Sequence, residues 1–315
     1  MRIQTLVVLV MIAACGGGDA KPDGGGDLDA ASFPAEYLRI LCEVAEHCGT
    51  YATAEQCRAT VPFAGAFDQA VAGVAADVVR FDAEAAAACL ESQRDDDCRD
   101  PRSRVHDDPC LRVYTGLVAD GAACQYGDEC ASGGCDRTDP ACEGECCAGT
   151  CEPDGPEEHD LPIGSPCSGD EYCVDTAYCN ASAMCTALIA DEGAACEDYT
   201  DCAAPLVCDV NAAQPVCRRP AEPGETCVAD RAGACADQRD RCIAGTCQRA
   251  VEPGATCDVD AFDCVFHAEC VNGSCVARPT TGEACDPTGP RCMGVSPCRN
   301  GTCAAPPVTP VCTMP

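Results

Sequence analysis

The chain has 315 residues, of which 35 are cysteine, with 4% aromatic residues, no tryptophan and a formal net charge of -32. A cysteine fraction of about 11% marks a disulfide scaffold and needs an oxidising compartment, and the scarcity of large rings excludes one big core. So acidic a chain repels nucleic acid and anionic headgroups, which excludes both as partners without a bridging cation.

Arg2 is followed by the apolar stretch Leu6 to Ala14 and then by Cys15. Nine apolar residues cannot cross a hydrocarbon layer of about 30 Å, so residues 1–14 read as a signal segment rather than a membrane span. Ile12, Ala13, Ala14 and Cys15 resemble a bacterial lipobox, which implies acylation of Cys15 after cleavage. The other reading is an ordinary signal peptide whose small residues precede a cysteine. Several acyl chains hold a protein on a bilayer stably where one is marginal, so the membrane is the first expected partner, reached through Cys15. Gly16 stands where an Asp would retain the protein at the inner membrane, which favours the outer membrane or cell surface of a bacterium.

Residues 15–32, rich in Gly, Asp and Ala, form a flexible tether with a reach of roughly 20 to 25 Å. Residues 33–118 are Ala-rich and helically patterned. Tyr37, Leu41, Val44 and Cys48, with Leu38, Cys42 and Ala45 beside them, predict a helix over about 35–48. Thr53 with Gln56 resembles a capping box for a second. Phe67, Val71, Val74 and Val78 suggest a third, and Ala83 to Leu90 a fourth capped by Asp82. Cys42, Cys48, Cys57, Cys89, Cys98 and Cys110 make this a small helical domain closed by three disulfides.

The remainder is repetitive. Gly121, Gly164, Gly193, Gly224, Gly254 and Gly282 each stand three residues before a cysteine, and four of the gaps between them are 28 to 31 residues. An irregular unit over 119–153 carries Cys124, Cys130, Cys135 and four more, including the adjacent Cys146 and Cys147. Five four-cysteine units follow: Cys167, Cys173, Cys179, Cys185 (164–189); Cys196, Cys202, Cys208, Cys217 (193–220); Cys227, Cys235, Cys242, Cys247 (224–250); Cys257, Cys264, Cys270, Cys275 (254–278); and Cys285, Cys292, Cys298, Cys303 (282–305). A tail over 306–315 holds Cys312. With Cys15 acylated, the other 34 cysteines suffice for 17 bridges. Units this short cannot hold themselves by burial, and two bridges closing loops of some 12 to 18 residues contribute roughly 3 kcal/mol apiece. Asn272-Gly273 and Asn300-Gly301, with Ala244-Gly245 in the equivalent place, predict two-residue type I′ hairpins. Three pairings within a unit remain open. The fold class expected is small and disulfide-rich: a helical cysteine-containing domain, then tandem knotted repeats with short hairpins, strung out as a rod.

This pattern of Gly, two residues, Cys, an acidic stretch and three further cysteines around a Gly turn resembles the Dickkopf amino-terminal cysteine-rich repeat, with a looser similarity to EGF-like and EB modules. The layout as a whole resembles the cysteine-rich surface lipoproteins of predatory gliding soil bacteria. The resemblance covers roughly residues 110 to 303 and implies extracellular interaction without naming a ligand.

Other chemistries find little footing. The Cys-x-x-Cys and Cys-x-Cys spacings of thiolate metal sites are missing, so no metal and no cofactor is expected. Adjacent Cys146 and Cys147 read as halves of two separate bridges rather than a vicinal redox pair. His47, His106, His159 and His267 fall in no hydrolase pattern and read as surface residues, so the chain is not expected to be an enzyme. Asp95, Asp96, Asp97, Asp100, Asp107 and Asp108, and separately Asp258, Asp260 and Asp263, could chelate calcium weakly, though neither run has the EF-hand order. Asn180, Asn272 and Asn300 sit in glycosylation triplets but read as turns. The function expected is a non-catalytic surface module that binds an extracellular protein or polysaccharide, or acts as a spacer. The alternatives are a protease-inhibitor or toxin-like knotted ligand and a weak calcium-dependent adhesin.

Overall fold

The computed structural model describes residues 28–61, 67–94, 98, 109–137, 146–153, 161–167, 173–174, 176–197, 201–203, 205–210, 213–227, 235–258, 263–294, 296–305 and 311–312. Four helices come first: α1 (Phe33–His47), α2 (Ala54–Thr60), α3 (Asp68–Ala75) and α4 (Ala83–Arg94). The caps follow the sequence. Thr53 accepts from the Gln56 N–H at 3.1 Å, and one Asp82 oxygen accepts from the N–H groups of Glu84 and Ala85, each at 3.0 Å.

α1 is covered on two sides. Phe33, Ile40, Tyr37 and Val44 meet Ala86, Cys89 and Leu90 of α4, while Leu38, Cys42 and Ala45 meet Ala54 and Cys57 of α2. The third helix departs from its expected face. It ends at Ala75, and it buries Gln69, Ala70 and Gly73 rather than the valine stripe. The cause lies in the next element: Val78 leaves the helix, and β1 (Val79–Phe81) pairs antiparallel with β2 (Tyr114–Gly116), bringing Val79 against Gly73, where any Cβ would collide with it. Around this pair Phe33, Tyr37, Phe67, Phe81 and Tyr114 form one ring cluster, with centroids 5.5 to 6.1 Å apart. Few aromatics do make a core here because they are gathered in one place.

The helical domain carries Cys42–Cys57, Cys48–Cys98 and Cys89–Cys110. After it come six copies of one small plan. In each, a tight turn places the opening glycine at its third position, and the N–H of the residue after that glycine returns 2.9 to 3.2 Å to the carbonyl three residues earlier. The glycines have φ of +75, +93, +87, +85, +91 and +85, with nothing within 4 Å of a would-be Cβ. They are required for a type II turn and not for space, and Pro223 and Pro253 occupy the position that turn prefers for proline. The glycine N–H then donates to the carbonyl of the unit's last cysteine at 2.7 to 2.8 Å in all six.

Each hairpin joins the third cysteine to the last, directly paired in register: Cys179 with Cys185, Cys208 with Cys217, Cys242 with Cys247, Cys270 with Cys275 and Cys298 with Cys303. Asn272 and Gly273 (φ 51 and 79), Asn300 and Gly301 (52 and 80) and Ala244 and Gly245 (51 and 78) all adopt the left-handed geometry of the expected two-residue loops.

The array is not a rod, and this overturns the expectation of an extended string. Three later units return to the helical domain. Gln238 donates its backbone N–H to the Cys98 carbonyl at 3.0 Å, His267 Nδ1 lies 3.2 Å from the Gly49 carbonyl oxygen, and Met293 is buried among Cys42, Tyr51, Ala54 and Cys57. Repeats that bury little within themselves gain by packing a residue such as Met293 on the one part of the molecule that has a core.

Candidate functional site

The cystine framework is the feature that every unit positions, and the structure settles its connectivity. In all six units the first cysteine bridges to the third and the second to the fourth of the paired set: Cys124–Cys135 and Cys130–Cys151, Cys167–Cys179 and Cys173–Cys185, Cys196–Cys208 and Cys202–Cys217, Cys227–Cys242 and Cys235–Cys247, Cys257–Cys270 and Cys264–Cys275, and Cys285–Cys298 and Cys292–Cys303. In the five later units the joined residues are 11 to 15 apart. Cys146 bridges to Cys312, and Cys147 is disulfide-bonded as well, so the adjacent pair is not a vicinal bridge. Cys15 lies outside the described residues.

The crossed bridges stack, which brings three sulfurs of a unit within 4.8 Å of one another, as with Cys167, Cys173 and Cys185. This is metal-like spacing without metal-like chemistry, because a cystine sulfur has no thiolate charge to give an ion.

Of three buried carboxylates, the sequence reading missed two and took the third, Asp263, for a weak calcium ligand. Glu129, Asp201 and Asp263 each stand immediately before the second cysteine of a unit and are 2%, 3% and 7% exposed. Each accepts the backbone N–H of the residue following the first cysteine: Gln125 at 2.8 Å, Glu197 at 2.6 Å and Asp258 at 3.1 Å. The carboxylate thus closes the loop between two cysteines by satisfying a donor that the sharp turn leaves unpaired. The signal was present as an acidic residue at one fixed position in three units. A second missed feature is the residue that starts each unit. Val118, Leu161, Ile189, Ala221 and Val251 each make a parallel bridge to the second cysteine, and the Pro279 carbonyl accepts from Met293. The repeat therefore begins upstream of its glycine.

The calcium candidates fare unequally. Asp95, Asp96, Asp97, Asp100, Asp107, Asp108 and Asp260 lie outside the described residues; Asp263 is committed to its own loop. Among the histidines, His106 and His159 are likewise outside, and His47 is the exposed last residue of α1. His267 is a correction. Its side chain is 11% exposed, wedged between Gly49 and Glu252, because the fifth unit packs on the helical domain there.

Unit four carries an internal ion network beside its docking residue Gln238. Arg239 meets Asp237 at 2.7 Å, and Arg249 meets Asp237 at 3.6 Å and buried Asp240 at 3.3 Å. Burial pushes the Asp237 carboxyl up, but the Arg239 side chain and backbone N–H, with Arg249 behind them, outweigh it and hold the group at about 2.

A small cleft lies between α1, α2 and unit four, lined by Leu41, Val44, Tyr51, Val61, Gln93 and Gln238 among others and with room for about 270 Å³. Among the described residues no helix is long and apolar enough to cross a membrane. Compared with known proteins, the chain matches no family model, no curated protein and no solved structure.

Proposed function

We propose that the chain is a non-catalytic lipoprotein of a bacterial cell surface, anchored through acylated Cys15, which binds an extracellular protein or polysaccharide. One observation carries this reading: every cysteine among the described residues is disulfide-bonded, in a framework that forms only outside a reducing cytosol. The placement of the polar groups supports a binding role over catalysis. Glu129, Asp201 and Asp263 are consumed in loop closure and His267 in docking, so these four groups are structural. Folding back supports binding over spacing, since a chain that closes on its own first domain spans less distance than a linear array. The apolar run ending at Cys15 and the acidic surface fit a tethered module held off an anionic membrane.

The test is metabolic labelling with an alkyne fatty acid in a bacterium that makes the protein, followed by protease shaving of intact cells. The wild type is expected to carry the label and to be cleaved from outside, and Cys15→Ser to carry none. Label retained in Cys15→Ser, or absent from both, overturns the anchor. Binding of the acyl-free protein to a glycan array and to whole cells then reads the recognition role, and no saturable binding to either would overturn it.

A further inference from the structure

We propose that Cys146–Cys312 is a thiol-reactive clasp at which an external thiol opens the molecule's long covalent ring and frees the carboxy-terminal segment. The bridge joins residues 166 apart in sequence, whereas those within the five later units join residues at most 15 apart. Its two residues differ in exposure. Cys146 is exposed, and Cys312 is 3% exposed. A thiolate can therefore reach one end, and the other end is the leaving group.

The leaving group has a prepared partner. Tyr126 Oη lies 3.1 Å from Cys312 Sγ, and because a cystine sulfur carries no proton, the hydroxyl must be the donor. The Arg137 guanidinium sits over the Tyr126 ring, 5.4 Å from its centroid, where a cation draws electron density from the ring and strengthens that donation. When an external thiolate attacks Cys146 Sγ, the S–S bond breaks and its electron pair leaves on Cys312 Sγ, where Tyr126 already points a hydrogen bond. The Cys312 thiolate then takes a proton from solvent. A second external thiolate attacks the mixed disulfide at its non-protein sulfur and releases Cys146. Two thiols are oxidised to one disulfide, and one cystine is reduced to two cysteines. Exchange is faster when the leaving thiolate is stabilised. Gln69 holds the freed segment more weakly, through two 2.9 Å hydrogen bonds between its amide and the Cys312 backbone.

The experiment exposes the full chain to reduced glutathione for timed intervals, quenches with iodoacetamide and maps the alkylated peptides. Cys167–Cys179 is the internal standard, since Cys179 is also exposed. Cys146 and Cys312 are expected to be alkylated first, about tenfold ahead of the standard, and Tyr126→Phe to slow their opening roughly three- to tenfold while leaving the standard unchanged. Opening no faster than Cys167–Cys179, or an unaltered rate in Tyr126→Phe, overturns the proposal. If that variant accelerates both bridges it reports a loosened fold, and the order of opening in the wild type then decides.

Discussion

Left-handed backbone gives single residues weight without any packing contact in this molecule. Ala244 adopts φ 51 at a hairpin position that Asn272 and Asn300 fill in the next two units. Asn tolerates that conformation and Ala resists it, so Ala244→Asn is expected to raise stability by about 0.5–1 kcal/mol. Gly254, at φ +91 with open space around it, should show the opposite sign: Gly254→Ala is expected to cost roughly 1–2 kcal/mol although nothing collides. Thermal unfolding of both variants checks the pair, and equal signs would refute the backbone explanation. The acid before the second cysteine gives another contrast. Asp263→Asn keeps an acceptor for the Asp258 N–H, and Asp263→Ala leaves that donor unpaired at a cost of about 1–2 kcal/mol. Hydrogen exchange at the Asp258 amide should quicken in the alanine variant alone.

At the scale of elements, local signals were legible and long-range ones were not. Thr53, Asp82 and the two Asn-Gly pairs act through neighbours in sequence, and their caps and turns stand where the sequence put them. The valines of the third helix misled because their burial depends on a strand pair between distant residues, Val79 with Gly116, that no periodicity announces. Connectivity was open for a related reason: spacing alone permits three pairings, and the choice is made by the hairpin, which places the third and last cysteines opposite each other with each reaching back to a different partner. Glu129, Asp201 and Asp263 were readable only as acidity until the loop geometry gave each a donor. The ion network within unit four adds a pH prediction. The Asp237 carboxyl is held at about 2, below an ordinary value of 3.8, so its contribution is present above pH 3.8 and is lost as pH falls through 2. Asp237→Asn should flatten the loss of stability between pH 4 and 2, which acid titration followed by the Gln238 amide resonance would show.

For the molecule as a whole, the contacts between array and helical domain decide its outline. Met293 is 2% exposed against α1 and α2, and Met293→Ala is expected to cost about 2–4 kcal/mol and to detach the last unit. Small-angle scattering of that variant should report a larger radius than the wild type. That arrangement was out of reach of the sequence, because a methionine, a histidine and a glutamine scattered over three repeats share no motif. Yet among the described residues, burial within the units amounts to a handful of cysteines and a few apolar side chains such as Leu206, Val265 and Ala268. The bridges therefore hold the units, and the helical domain, with its ring cluster, gives them a place to dock.

The most direct test is a two-dimensional amide correlation spectrum of the full chain recorded before and after complete reduction and alkylation in native buffer. The expected result is collapse of the amides of residues 119–303 to the narrow range of an unfolded chain, with no cysteine from Cys42 onward alkylated in the unreduced protein. Dispersed amide signals that persist across those residues after reduction would contradict the account.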